Sequence, residues 1–161
     1  AASDVYKRQV QELLDAAGKY FKKLMKNRSE RIELEIEPIE AKVIGDVNQL
    51  RFLLENLIDE ALTVREDGVI RLQARKDNEY IRFLFTDTRR EKSVEELNQL
   101  FYPNLARMTS GEKGELRGTE YLVCKQIIRD HDEFAGRRGC RINAEPAEGG
   151  GFTVYFTIPR R

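Results

Sequence analysis

Residues 85–91 read FTDTRRE: an apolar run ends in a lone carboxylate, Asp87, and continues at once into Arg89, Arg90 and Glu91. Before it, Ile81, Phe83 and Phe85 alternate with more polar neighbours, the period of a half-buried strand. Asp87 shares their parity, so the strand aims its carboxylate at the core side just where the strand ends. A buried acid costs several kcal/mol unless it is hydrogen-bonded or paired. The chemistry open to it is recognition. It can accept a hydrogen bond from a ligand's amine, or it can pair with the guanidinium of Arg89 or Arg90.

Other reactive residue types are sparse. Cys124 and Cys140 stand apart without CxxC spacing, and His131 is the single histidine, so neither a structural zinc site nor a disulfide framework is supported. Both cysteines are expected as small core residues, and His131 as a charge set against a helix C-terminus. Lysine plus arginine and aspartate plus glutamate number 28 each, which leaves no net field to draw in nucleic acid or an anionic membrane. The chain has no apolar run of about 18 residues and no signal peptide, so it reads as cytoplasmic, without direct membrane insertion.

The elements that must position Asp87 follow from periodicity. At 161 residues, 40% of them hydrophobic, the chain has material for one domain with one core. The opening AASDVYKRQ resembles the translated end of a transposon adapter, so residues 1–9 are set aside and the domain is taken as 10–161. From Val10 to Met25 apolar residues recur at three- and four-residue steps, which predicts an amphipathic helix. Residues 31–38 alternate as a strand ended by Pro38. Asp46 is placed to cap a second helix that carries Leu50, Leu53, Leu54, Leu57, Ile58, Ala61 and Leu62 on one face. Residues 68–87 read as an antiparallel hairpin about KDNE, with Ile70, Leu72 and Ala74 facing the same way as Ile81, Phe83 and Phe85. A short helix at VEELNQLF, a glycine-containing loop, a helix from about Thr119 to His131 and two closing strands complete the chain. The expected fold is an α/β (α+β) two-layer sandwich, with a mixed, mostly antiparallel sheet and helices on one face.

Several strings, in order, resemble the ATP-binding domain of sensor histidine kinases, within the group that includes gyrase, Hsp90 and MutL. GDVNQLRFLLENLIDEAL resembles the family's helix with its asparagine box. FLFTDTRRE stands where the family has a strand ending in DxGxG, RGTEYLVCKQIIRDH resembles its GLGLxxxKxxxxxHGG helix, and LFYPN and GGGFTVYFTIP match two further segments. The resemblance implies a pocket for ATP between helices and sheet. In it the aspartate matched by Asp87 reads the adenine amine, Asn56 and Glu60 stand at the Mg²⁺-holding positions, and Gly114 and Gly118 are candidate cofactor-binding glycines whose plainer role is lid and cap; Arg89 or Arg90 is a candidate phosphate contact if the site binds ATP.

The departures fall where a nucleotide would be held. Arg89 and Glu91 replace the two glycines after the aspartate, Glu60 replaces the second asparagine, Glu120 replaces a glycine at a helix N-terminus, and Phe152 replaces a threonine after Gly151. Each unpaired carboxylate near a triphosphate costs roughly 1 to 4 kcal/mol, depending on local dielectric. A micromolar affinity is worth only about 8 kcal/mol. The expectation is a decayed ATP site with no assigned catalytic residue, binding no cofactor or only weak Mg-ATP. The domain would act as a regulatory, protein-interacting module beside an upstream helical dimerisation domain, with no nucleic acid partner. The alternative is a working ATP-binding catalytic domain of a two-component sensor histidine kinase.

Overall fold

The computed structural model describes residues 5–103, 119–136 and 139–160. Helix α1 (Val10–Met25) buries Val10, Leu13, Leu14, Ala17 and Phe21, the stripe its spacing predicts. Strand β2 (Ile32–Ile36) follows, then β3 (Lys42–Asp46) and α2 (Val47–Ala61). The Asp46 carboxylate accepts hydrogen bonds from the backbone N–H groups of Asn48 and Gln49, two of the donors that the first turn of a helix leaves without partners. Strands β4 (Gly68–Asp77) and β5 (Tyr80–Asp87) form the expected hairpin. Helix α3 (Val94–Gln99) opens with a reciprocal Ser93–Glu96 capping box. Helix α4 (Glu120–Ala135) and the antiparallel strands β6 (Ile142–Pro146) and β7 (Phe152–Pro159) complete the order.

Five strands make one mixed sheet in the order β2-β4-β5-β7-β6, with β2 parallel to β4 and the other neighbours antiparallel. Alternation decides the faces. Ile70, Leu72, Ala74, Ile81, Phe83, Phe85, Val154, Phe156 and Ile158 join the buried residues of α1, α2 and α4 in one core. Phe83 and Phe156 stack at its centre, ring centroids 4.7 Å apart, a cross-strand pair that fixes the β5–β7 register.

Three features depart from the sequence-based expectation. Residues 5–9, set aside with the N-terminal tail, and residues 42–46, unmarked as a strand, pair antiparallel as β1 (Val5–Gln9) and β3. Neither segment is long or regular enough to announce itself; Val43, fully buried, anchors the ribbon from within the core. Helix α4 runs to Ala135, a turn beyond the predicted end. His131 is consequently inside the helix and buried, 7% exposed, rather than a charge at its tip. Its Nε2 accepts the Asp46 backbone N–H at 3.0 Å and its Nδ1 lies 2.8 Å from the Ile127 carbonyl. An acceptor at Nε2 and a donor at Nδ1 define the neutral imidazole. Both cysteines are buried in the core as expected. Burial, with the charges of Glu120 and Glu60, pushes the Cys124 thiol well above its usual range.

Two neighbouring glycines measure how tightly β7 approaches the end of β5. Gly149 and Gly151 share a φ of +87°, but a Cβ on Gly149 meets nothing within 4 Å while one on Gly151 would overlap the Asp87 carbonyl. Alanine at either position pays roughly 1 kcal/mol for the left-handed conformation. Gly151→Ala should cost about 1–3 kcal/mol more than Gly149→Ala, because the backbone beside Asp87 must shift; urea unfolding of the two variants gives that difference. Cys124 should resist thiol reagents at pH 8 in the native protein and react only on unfolding, since its raised pKa keeps it protonated. The sign for stability follows: the proton is held in the fold but lost from the unfolded chain above the ordinary thiol value of about 8.5, so this contribution declines with further rise in pH.

Candidate functional site

Asp87 closes β5 with its side chain inward, 3% exposed, on the face that parity assigns to it. The chain then turns so that Arg89 folds back over it. The Arg89 backbone N–H and Nε both donate to Asp87 Oδ1, at 3.0 and 2.9 Å, and Nη2 donates to Oδ2 at 2.9 Å. The remaining guanidinium protons reach the C-terminal end of α2 and the loop beyond it: Nη2 donates to the Ala61 carbonyl at 2.6 Å, and Nη1 to those of Val64 and Glu66 at 3.1 and 3.0 Å. All five donors of the guanidinium are satisfied. The side chains of Arg89 and Asp87 are 1% and 4% exposed.

The electrostatics of this cluster explain its composition. A helix C-terminus leaves carbonyls without intrahelical partners and carries partial negative charge. A cation placed there offsets both that charge and the buried carboxylate, and the planar fork of arginine does so with directed, charge-assisted bonds. Access depends on Gly68, at the start of β4 with a φ of +144°; a Cβ there would stand 2.5 Å from Arg89 Cγ. The arginine stem passes through the space that a side chain at position 68 would fill.

Opposite Asp87 in β7 lies Phe152, inward and 6% exposed, with the Lys92 ammonium 5.4 Å from its ring centroid. Arg90 and Glu91 are exposed. Of the groups expected to crowd this corner, Arg89 and Phe152 therefore do so, while Arg90 and Glu91 turn to solvent.

The family model described as histidine kinase-, DNA gyrase B-, and HSP90-like ATPase matches residues 45–161. The chain belongs to this ATPase family. Among solved structures, the nucleotide-free catalytic domain of histidine kinase ThkA is 21% identical, with a TM-score of 0.74 over 97% of this chain and 95% of that one. The ATP-binding domain of PrrB from Mycobacterium tuberculosis is 16% identical, with a TM-score of 0.72 over 98% of each chain. Full-length ShkA, solved in complex with AMPPNP, is 15% identical, with a TM-score of 0.70 over 98% of this chain and 32% of its own. The search of curated proteins found no match.

In this ATPase-family chain the other candidate residues divide. Asn56 on α2 is buried, 7% exposed, and its side-chain amide donates to the Phe52 carbonyl of its own helix at 2.7 Å. Glu60, a turn later, is half-buried. Glu120 opens α4, and one of its carboxylate oxygens is buried without a hydrogen-bond partner among the described residues. Gly114 and Gly118 lie outside the described residues. Also among the described residues, no group of three or more His, Cys, Asp and Glu side chains is arranged to hold a metal ion.

Asp87 presents no carboxylate oxygen without a bonded partner. Both carboxylate oxygens are engaged by Arg89, and the guanidinium sits in front of them. Sequence reasoning placed Asp87 and Arg89 together but missed Gly68 and the three carbonyls. Gly68 carried a faint signal: a glycine at the start of an otherwise alternating strand, a place that often marks a close backbone or side-chain approach.

Arg89→Ala and Asp87→Asn should each lower stability by about 3–5 kcal/mol, because each leaves buried polar groups without partners. Replacing both with apolar residues of similar size should cost less than the sum, since the charge left behind disappears; a double-mutant cycle by chemical denaturation measures the coupling.

Proposed function

We propose that this histidine kinase-type ATPase domain has a nucleotide pocket held shut by its own Arg89. It serves as a regulatory, protein-interacting module of a longer cytoplasmic signalling protein of the sensor histidine kinase type. One observation carries the reading: the arginine makes a fully bonded, solvent-excluded pair with the aspartate that the family resemblance assigns to adenine. An adenine amine must displace that pair before it can bind. Breaking a buried pair costs about 3–5 kcal/mol, while micromolar binding yields about 8 kcal/mol. The remainder corresponds to a dissociation constant near the millimolar range. Mg-ATP is therefore bound weakly or not at all, with Asn56 and Glu60 as the Mg²⁺-facing residues if it binds. The protein partner in this reading is an upstream helical dimerisation domain packed against the helical layer.

Family membership favours one other reading, a working ATP-binding catalytic domain in which Arg89 swings away from Asp87 to meet phosphate. Thermal unfolding separates the two. A ligand at a hundred times its dissociation constant stabilises the fold by about 2.7 kcal/mol. With millimolar Mg-ATP the midpoint should stay within about 1 °C of that with Mg²⁺ alone, since a ligand present near its dissociation constant adds only a few tenths of a kcal/mol. A rise of several degrees would overturn the closed pocket and establish the catalytic reading.

A further inference from the structure

The sheet face turned away from α1, α2 and α4 carries a row of arginines unrelated to the nucleotide pocket. Arg75 of β4 lies directly opposite Arg82 of β5, and Arg82 lies opposite Thr157 of β7. Arg141, just before β6, continues the row: its backbone N–H donates to the Thr157 hydroxyl, and its carbonyl accepts the Thr157 N–H. Strands stand about 4.8 Å apart, so the row runs about 14 Å from Arg75 to Arg141.

Two observations set this row apart from an ordinary solvated face. Like charges directly opposite one another destabilise a sheet, yet Arg75 faces Arg82, and both Arg75 and Arg141 are exposed. Arg71, four residues before Arg75 on the same face, has its own carboxylate, Glu35, at 3.1 Å. Arg82 is also preset. Its guanidinium lies 5.0 Å over the Tyr155 ring, leaning towards β7, and it meets Asp77 at 3.2 Å, which leaves most of its five donors unused. The three cations are thereby spread along the row. Next to them Leu84 and Tyr155, opposite each other in β5 and β7, give a small half-buried apolar patch.

We propose that this row docks an extended acidic segment of a partner protein. Its carboxylates would lie on Arg75, Arg82 and Arg141. Alternate residues of an extended chain are about 6.6 Å apart, so carboxylates at i, i+2 and i+4 span the same length as the row. Arginine forks hold carboxylates in directed pairs. The occupant is a protein segment rather than nucleic acid because the chain as a whole carries equal numbers of acidic and basic residues, and polyanion binding draws on many phosphate contacts and an extended positive field.

The test is fluorescence anisotropy with the intact chain and two labelled probes, the peptide SELESES and its counterpart SQLQSQS. Saturable binding of the acidic probe is expected, at least about tenfold tighter than the glutamine probe and weakening with salt. The Arg75→Gln/Arg141→Gln variant should lose a similar factor, while Arg71→Gln should stay within about twofold. Arg75→Glu supplies a stability readout that needs no ligand: its unfolding midpoint should hold or rise, because it removes the Arg75–Arg82 repulsion. No saturable binding of the acidic probe at millimolar protein, equal binding of the two probes by wild type, or a folded double variant that binds like wild type would each overturn the proposal. So would tighter binding of heparin or duplex DNA, which would assign the row to polyanions at large.

Discussion

Burying an aspartate at the end of a strand creates a charge that water no longer screens, and every neighbour must answer it. Here the answer is Arg89, which joins the carboxylate of Asp87 to three carbonyls at and just beyond the end of α2. The pair does more than neutralise itself. It ties the end of the central hairpin to the end of α2, so sheet and helical layer share one fixed point. Gly68 clears the path for the arginine stem, and Gly151 lets β7 begin against the backbone of Asp87.

The opposite end of α2 is anchored by a different kind of interaction. Asp46 satisfies the first-turn donors from the preceding residue, while the neutral imidazole of His131 reaches from α4 to accept the Asp46 N–H. Helix α2 is thus held at both ends by side chains from outside it. Its apolar stripe, packed on α1 and α4, sets its rotation. The position of Asn56 and Glu60 on that helix follows from these constraints and needs no ligand to order it.

The fold was legible in the sequence wherever alternation or helical spacing persisted over several residues. Ile81, Phe83, Phe85 and Asp87 gave both the strand and the inward aim of the acid, and the Val10–Phe21 stripe gave α1. What escaped was decided by partners distant along the chain. The β1–β3 ribbon has too few apolar residues to signal itself, and the neutral state of His131 depends on a backbone N–H 85 positions away. The site was legible in part. Charge and proximity matched Arg89 to Asp87, but only the folded backbone brings the carbonyls of Ala61, Val64 and Glu66 within reach of one guanidinium. Glu91 and Arg90, equally charged and equally near, face solvent.

The overlap between the Arg89 stem and any side chain at position 68 restricts the order in which mutations can accumulate. An arginine at 89 can turn inward only in a lineage that already has glycine at 68. Once it has done so, neither residue can change alone without leaving a steric overlap or an orphaned acid. Undoing the arrangement would need coordinated replacements, so it behaves as a ratchet.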